Sequence, residues 1–472
     1  MTNTRKIALN TITQIIGKVI TTAISVVMLA YLARYLGVSG YGQYTTVFAF
    51  LGFFAIIADM GFYTIAVKEM SKNPEKSSQV MGNIFSVRII FAIFFLILAS
   101  VVGLFVPVYS EIIKLGIIIG SFSSFFVMLN QLVVGIFQVN LRMEKLVISD
   151  VLARLVLFIS TIIFIKLNLS LSAFVFANVL SNFFLFLFSF VMSRKFLKFS
   201  LKVDFKYWKK ITKEALPLGA IIVLGLVYFK IDTVMLSIMK DSEAVGIYGA
   251  PYKILEIFIT VPAMFMGSVF PLISKYFHEK DKRLKDSFNK SFDFISIMIW
   301  PIVVGTILLA RPITNVILGE EFIQSALVLQ YLIFAVFIIF YGTIFGNFII
   351  AADLQKKLFW VYLTSVFVNV VGNIILIPRY SYLGSSISTI FTEAFVCLSA
   401  YIILYNNLRF IPGFKTFFKS IIASLVMGVV IFYIARDLNL FLTIFLGGII
   451  YLTTLYFIGG INKEIIKKVL VK

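Results

Sequence analysis

The 472-residue sequence contains one cysteine, Cys397, and one histidine, His278. One cysteine excludes an internal disulfide framework, and so short a supply of Cys and His excludes the clusters that hold most structural zinc ions. Acidic residues are also scarce, with 22 Asp and Glu against 42 Lys and Arg. No Asp-x-Asp pair occurs and Glu320–Glu321 is an isolated pair, whereas a membrane glycosyltransferase, polymerase or ligase needs carboxylates or a metal outside the bilayer. We therefore expect neither an enzyme nor a metal site.

Apolar residues are abundant instead. They make up 60% of the chain, including 52 Phe, and the mean hydropathy is +1.02, whereas soluble domains are about 45–50% apolar. Fourteen apolar runs can be drawn, most of them reaching the ~20 residues that a membrane-spanning helix needs. The first run is too long for a signal-peptide core and lacks a small-residue cleavage motif. The predicted helix cores are Leu9–Leu32, Tyr44–Val67, Ile84–Val106, Ile112–Phe137, Ile148–Leu167, Leu171–Met192, Pro217–Met239, Ile247–Phe277, Phe292–Leu309, Ala326–Ala351, Phe359–Ile377, Leu383–Tyr405, Phe417–Ala435 and Leu438–Ile458. The composition predicts an all-α polytopic membrane protein.

Lys and Arg are distributed unevenly among the segments between these runs. Basic segments alternate with nearly uncharged ones, and short loops with excess Lys and Arg stay in the cytoplasm. The alternation places both termini in the cytoplasm and accounts for the net charge of +20. A nucleic-acid surface fits poorly because the charge is divided among eight segments. These segments hold Arg5 and Lys6; Lys68, Lys72 and Lys76; Arg142 and Lys145; eight cations from Arg194 to Lys213; six from Lys275 to Lys290; Lys356 and Lys357; Arg409, Lys415 and Lys419; and Lys463, Lys467, Lys468 and Lys472.

The two halves of the chain resemble each other. Gly42-Gln43-Tyr44 aligns with Gly246-Ile247-Tyr248 at an offset of 204 residues, and GIFQVNLRMEKL (135–146) aligns with NFIIAADLQKKL (347–358). Six helices per half is an even number, so the halves have the same orientation and form parallel repeats about an axis along the membrane normal. We predict a six-helix bundle over 1–193, a basic cytoplasmic linker over 194–212 and a second six-helix bundle over 213–406, with a cleft between the bundles. Two further helices and a basic cytoplasmic tail occupy 407–472.

Three segments carry a family resemblance: LGVSGYGQY (36–44), DTVMLSIM (232–239) and VNVVGNIILIPRYSYLGSSIST (368–389). With them the chain resembles the Wzx-type oligosaccharide flippases, also known as polysaccharide biosynthesis proteins, of the multidrug/oligosaccharidyl-lipid/polysaccharide superfamily. Gly384-Ser385-Ser386 stands where the family often has a glycine pair. The resemblance implies a MATE-like fold in a prokaryotic plasma membrane and a substrate that is an oligosaccharide linked to polyprenyl pyrophosphate. A polysaccharide polymerase or ligase is the expected protein partner, beside membrane lipids. No cofactor is expected, and coupling to sodium, to protons or to the membrane potential stays open.

Charged residues at membrane depth are costly and mark a pathway or a pair. We take nine as candidates for the lining of the substrate cavity: Lys18, Asp59, Arg88, Arg154, Lys230, Asp232, Lys253, Glu256 and Glu393. Arg and Lys can bind a pyrophosphate by charge-assisted hydrogen bonds. Structural alternatives stay open: Arg88 can snorkel to the inner interface, and Lys253 and Glu256, at i and i+3, can neutralise each other. In the cavity arrangement Lys230 faces Glu256, and Asp232 faces Lys253.

Gate and hinge candidates lie in predicted helix 8. Pro251, Pro262 and Pro271 each remove a backbone donor there, which predicts a broken helix. Gly246 and Gly249 lie at its outer end, and Gly37, Gly40 and Gly42 occupy the equivalent turn of the first half. We expect this region to be the outer gate, with tight surface turns as the simpler interpretation of the first-half glycines.

Two other functions compete with glycan flipping. A cation-coupled exporter of small molecules or drugs has the same fold, and Asp59, Asp232 and Glu393 are available for coupling. A flippase for a lipid-linked peptidoglycan precursor or a teichoic-type polymer is a further alternative within the family.

Overall fold

The computed structural model describes residues 3–433 and 438–460, except for the side chains of residues 3–12, 217, 218, 221, 222 and 226. The predicted basic tail, with Lys463 to Lys472, lies outside the described residues, and so do the side chains of Arg5 and Lys6. Within these ranges the regular elements are helices. Thirteen α-helices follow one another: α1 Asn3–Asp59, α2 Phe62–Lys72, α3 Ser77–Phe105, α4 Glu111–Val139, α5 Met143–Lys166, α6 Leu171–Ser193, α7 Phe205–Met239, α8 Ser242–His278, α9 Arg283–Leu318, α10 Ser325–Ala351, α11 Gln355–Leu408, α12 Phe414–Tyr433 and α13 Leu440–Phe457.

Eleven helical stretches in the described residues are long and apolar enough to cross a membrane. Two of them, Thr13–Lys72 and Gln355–Leu408, are more than twice as long as a span requires. Each contains a backbone break, so these two stretches provide four spans and the eleven provide thirteen. The 35-residue α7 is long enough for a further span, although it is not among these eleven stretches. The predicted all-α polytopic fold with about fourteen membrane-spanning helices is confirmed.

Residues with positive φ divide the long helical stretches. Gly37 (φ 67°) interrupts α1, a conformation that glycine adopts without a Cβ penalty. Ser381 (φ 51°) interrupts α11 three residues after Pro378, which has no N–H to donate. Met60 (φ 43°) and Gly61 (φ 77°) separate α1 from α2. The prediction of one uninterrupted core over Tyr44–Val67 is therefore wrong, because two consecutive left-handed residues cannot continue a right-handed helix.

The glycines after the first break are helical. The second half of α1 starts directly after Gly37, so Gly40 and Gly42 lie inside a helix and not in a turn. The expectation of a tight surface turn holds for Gly37 alone.

The prediction of a broken helix 8 is also wrong. α8 runs without interruption from Ser242 to His278 and contains Pro251, Pro262 and Pro271. Each proline removes one hydrogen bond, but hydrocarbon offers a released carbonyl no water, so continuing the helix satisfies the most backbone groups.

The two faces of α3 show how the helices divide their surfaces between lipid and protein. Small or apolar residues at helical spacing are buried against neighbouring helices: Ala92, Leu96, Ala99 and Gly103. Large apolar side chains on the other face are 46–60% exposed: Ile90, Ile93, Phe94 and Ile97. Small residues let helices approach closely where burial of apolar surface gives no driving force in lipid. An apolar stripe of this kind is suited to hydrocarbon and not to water.

Packing divides the chain into two compact units. Unit 1 comprises Met1–Gly249 and Asn373–Ser385, and unit 2 comprises Ala250–Gly372 and Ser386–Lys472. In unit 1, α2, α3 and α4 and the start of α7 share an apolar core that includes Phe62, Met81 and Ile136. In unit 2, α9, α12 and α13 share a core that includes Leu309, Met427 and Tyr451. The predicted bundle boundaries follow the sequence repeat and not the packing, and they stay a prediction.

Candidate functional site: polar and glycine contacts at membrane depth

A buried ion pair joins α1 to α3 in unit 1. Asp59 is the last residue of α1, where the terminal carbonyl groups lack helical partners and the helix dipole is negative. Nη1 of Arg88 donates to the carbonyl oxygen of Ala58 (3.0 Å), and Nη2 lies 2.6 Å from Oδ1 of Asp59. Nη2 also donates to Oε1 of Gln131 on α4 at 2.7 Å. One guanidinium therefore binds the end of α1 to two other helices.

The alternative of a snorkelling Arg88 is wrong. Its side chain is fully buried and that of Asp59 is 19% exposed. Arg88 points into unit 1 because its acceptors, the end of α1 and Gln131, lie there. The sequence offered no signal for Gln131, an amide on a helix that was predicted only as an apolar span.

A second polar cluster surrounds Asp232 in α7, also in unit 1. Asp232 is 1% exposed and accepts hydrogen bonds from Nδ2 of Asn373 (2.5 Å) and from the hydroxyl of Tyr248 (3.3 Å). Both partners are buried. A carboxylate removed from water needs such donors, because an isolated buried charge is very costly. Asn373 lies in the segment 368–389 that carries the family resemblance, which is the signal by which it could have been found.

In unit 2, Lys253 and Glu256 form an ion pair on one face of α8. Nζ of Lys253 lies 2.6 Å from Oε2 of Glu256. This is the i, i+3 alternative of the sequence prediction. Glu393 of α11 is buried, with 4% of its surface exposed.

The other charged candidates are less enclosed. Arg154 lies 3.7 Å from Asp150 on the same helix, and its side chain is 41% exposed. Lys230 is half-buried, with its Nζ 5.7 Å from the centre of the Phe229 ring. Lys18 is exposed, and among the described side chains none forms an ion pair with it. Their roles in a substrate cavity stay predictions.

A glycine contact brings the two repeats together within unit 1. A Cβ on Gly42 would overlap the carbonyl oxygen of Ser242, and a Cβ on Gly246 would overlap that of Val38. Ser242 and Val38 differ by 204 residues, as do Gly246 and Gly42, so the two contacts are equivalent under the repeat. Next to them, a Cβ on Gly249 would lie 2.6 Å from a side-chain carbon of Thr45, again its counterpart at 204. Neither backbone could approach this closely if a side chain replaced either of the first two glycines.

A second glycine contact lies at the opposite end of the second half of α1. A Cβ on Gly219 of α7 would lie within 3 Å of the backbone of Met60. Gly61 faces the same stretch, with a Cβ position 3.3 Å from the carbonyl oxygen of Ala215. The start of α7 thus lies against the break between α1 and α2. The hinge candidates Pro251, Pro262 and Pro271 lie in the part of the uninterrupted α8 that belongs to unit 2, and they do not take part in either contact.

No cluster of three or more His, Cys, Asp or Glu side chains that could bind a metal occurs among the described residues.

The described residues contain helical stretches for at least thirteen membrane spans, with buried polar contacts between helices. They define the class as a polytopic membrane transporter of MATE-like fold. The chain belongs to the polysaccharide biosynthesis protein family, whose model matches residues 7–277. A second family model, MatE, matches residues 217–375.

Two curated relatives are similar to part of the chain. One is named "Probable flippase AglR" of Haloferax volcanii, 22% identical over 44% of this chain and 44% of the relative. The other is "Capsular polysaccharide biosynthesis protein CapF" of Staphylococcus aureus, 23% identical over 45% of this chain and 54% of the relative. The chain therefore spans about half the length of the curated relatives it matches.

Solved structures resemble the fold over more of the chain. "Lipid II flippase MurJ, inward closed conformation" superimposes with a TM-score of 0.78 over 98% of this chain and 100% of that one, at 16% identity. An inward-facing multidrug resistance MATE family transporter gives 0.67 over 82% and 95%, at 13% identity. At these identities the likeness supports the fold.

Proposed function

We propose that this protein moves a polyprenyl-pyrophosphate-linked oligosaccharide from the inner to the outer leaflet of a prokaryotic plasma membrane, for the synthesis of a surface polysaccharide or glycan. The observation that carries the proposal is the family match, which covers more than half of the chain. The names of two relatives support it, since one is called a probable flippase and the other a capsular polysaccharide biosynthesis protein.

The proposed cycle is alternating access with both termini in the cytoplasm. On this orientation the contact of Gly42 with Ser242 closes the outer side, and the contact of Gly219 with Met60 closes the inner side. Separation of one contact while the other stays closed would expose the cavity to one leaflet at a time. The lipid tail stays in the bilayer while the charged headgroup passes through.

The charged side chains that stay accessible are the best candidates for the pyrophosphate. Lys18, Arg154 and Lys230 are exposed or half-buried, and cations bind phosphate oxygens by charge-assisted hydrogen bonds. Arg88 would reach a phosphate only after separation from Asp59, so we assign it to holding the end of α1.

Coupling and partners are part of the proposal. Asp232 and Glu393 are buried carboxylates that could carry coupling to sodium, protons or the membrane potential. A polysaccharide polymerase or ligase would use the flipped product. We propose a carrier and not an enzyme, since the relatives bear flippase and biosynthesis names and the sequence offers no paired catalytic carboxylates.

A cation-coupled exporter of small molecules is the second candidate. The MatE match over residues 217–375 favours it. It requires a substrate without a lipid tail, so the two candidates differ in what accumulates when the protein is absent.

The decisive experiment depletes the protein and measures the sidedness of lipid-linked oligosaccharide with a membrane-impermeant glycan-modifying reagent. Flipping predicts that modified glycan falls and cytoplasmic glycan accumulates, with recovery on re-expression. Re-expression of Lys230→Ala at equal membrane levels should restore less. Unchanged sidedness together with retention of a fluorescent organic cation would contradict the proposal and favour the exporter.

A further inference from the structure

The segment Arg194–Lys213, which comprises the connection after α6 and the first turns of α7, carries unpaired positive charge. It contains eight Lys and Arg and one acidic residue, Asp204. All eight cationic side chains are exposed, and none of them forms an ion pair within the described residues. Asp204 accepts a hydrogen bond from the backbone N–H of Tyr207 at 3.0 Å and so caps α7. The carboxylate is therefore engaged at a helix end, where acidic groups are favoured.

A second basic segment, Lys275–Lys290, provides a contrast. It has six Lys and Arg but also three acidic residues. Each acidic side chain forms an ion pair inside the segment: Lys275 with Glu279 at 3.8 Å, Arg283 with Asp281 at 2.5 Å, and Lys290 with Asp286 at 3.4 Å. The Arg283 guanidinium lowers the pKa of the Asp281 carboxyl by hydrogen bonding and charge. A positive-inside signal alone does not require the unpaired state found in Arg194–Lys213.

The linker is held in a fixed position along α3. The N–H of Lys202 donates to the carbonyl oxygen of Gly82 (3.3 Å), and the N–H of Asp204 donates to Oδ1 of Asn83 (3.0 Å). The hydroxyl of Ser78 donates to the carbonyl oxygen of Lys198 at 2.8 Å. A Cβ on Gly82 would overlap the carbonyl oxygen of Ser200. The linker backbone is thus a docked strand-like segment and not a loose tether.

Apolar side chains divide between the two sides of this segment. Five of them pack against the apolar core of α2, α3 and α4: Phe196, Leu197, Phe199, Tyr207 and Trp208. Three others are exposed: Leu201 by 61% and Val203 by 63% in the extended stretch, and Phe205 by 74% at the start of α7. Alternation places Leu201 and Val203 on one face of the extended chain.

We propose that Arg194–Lys213 is a docking surface for anionic lipid headgroups, with Leu201, Val203 and Phe205 entering the interfacial layer. The charge complements a bilayer surface that contains anionic lipid, which attracts polybasic segments. Apolar side chains among Lys and Arg are the pattern of segments that lie in a membrane interface. The segment joins two membrane-spanning helices, so a bilayer surface is always within reach. The inference requires that the chain spans a membrane, but not that it flips a glycan.

The first experiment tests whether the cationic side chains bind anionic lipid. Native mass spectrometry follows the retention of phosphatidylglycerol by the purified full-length protein during stepwise delipidation. Lys198→Gln/Lys202→Gln/Lys206→Gln should lower retention about a hundredfold relative to phosphatidylcholine. The matched control, Lys275→Gln/Arg283→Gln/Lys290→Gln, removes three cations that form ion pairs and should have little effect. Equal losses in the two variants, or no loss in the first, would overturn the proposal.

Fluorescence quenching tests the position of the apolar side chains. The three native tryptophans are replaced by Phe, and Phe205→Trp is introduced in a bilayer that contains brominated lipid. Contact with the interface predicts strong quenching by the lipid and weak quenching by aqueous acrylamide. The reverse pattern, or capture of a protein or RNA by this segment in place of lipid, would contradict the lipid surface. Neither measurement depends on flipping, so failure here leaves the proposed function standing.

Discussion

Replacement of Asp59 by asparagine should destabilise the protein by about 3 kcal/mol, because it leaves a buried guanidinium without its counter-charge. Arg88 is fully buried, and Asp59 at 2.6 Å is its ion-pair partner in the described residues. Loss of one partner of a buried pair costs about 3–5 kcal/mol. The bonds of Arg88 to Gln131 and to the Ala58 carbonyl remain, and unfolded helices in a bilayer find other polar partners. Both effects place the expected loss of stability at the low end of this range.

The size of the loss can be measured as a free energy of unfolding by steric trapping in bicelles. About 3 kcal/mol corresponds to roughly a hundredfold change in the folding equilibrium. Arg88→Met supplies the second single variant, and the double variant Asp59→Asn/Arg88→Met should be less destabilised than the sum of the two. A coupling of about 1–3 kcal/mol is expected for two groups in direct contact.

The matched control is an exposed ion pair in the same unit. Glu111 and Lys114 lie 2.9 Å apart on α4, and the Glu111 side chain is 88% exposed. Glu111→Gln should cost no more than about 1 kcal/mol. If Asp59→Asn costs no more than this control, or if the double variant is simply additive, the assignment of Arg88 to holding the end of α1 is refuted.

Three further predictions concern the helix contacts and the accessible charge. Gly42→Ala should destabilise the closed contact by about 1–3 kcal/mol and increase thiol labelling at a cysteine engineered into that contact. Its control is Gly52→Ala, which has open space around it. The control should be neutral or stabilise the protein by up to about 1 kcal/mol. Gly219→Ala should likewise destabilise the contact with Met60 and increase thiol labelling there, while the contact of Gly42 with Ser242 stays closed. Gly225→Ala, which also has open space around it, is its control. Equal labelling of variant and control would contradict either assignment. Lys230→Ala should slow flipping in proteoliposomes several-fold with normal membrane insertion, and full activity would remove it from the cavity.

The membrane-spanning helices and the register of the repeat were predictable because each depends on a pattern in the linear sequence. Apolar length identified the helices, and the offset of 204 residues paired Gly42 with Gly246. The structure places these two glycines in one contact, although nothing in the sequence indicated that equivalent residues would touch.

Directions around a helix axis were not predictable. Depth along α3 suggested that Arg88 could reach the interface, but its rotational position sends it toward Gln131, 43 residues later in the chain. Similarly, Asp232 was predicted to face Lys253, whereas in the structure it accepts hydrogen bonds from the neutral side chains of Asn373 and Tyr248. The three prolines predicted a break in α8 that the structure does not have. The interruption at Met60–Gly61 depends on positive φ values, which cannot be recognised within an apolar run of sequence.

The reciprocal contact of Gly42 and Gly246 has the form of an isologous interface, in which residue i meets residue j and j meets i. Such an interface normally joins two copies of one subunit, and here both sides belong to one polypeptide. A half-length chain with a single glycine at this position could form the same crossing as a homodimer. Once the two copies are fused in one polypeptide, the residues of each half can change separately. Either glycine can then be replaced by a residue with a side chain, but only if the carbonyl group opposite it moves.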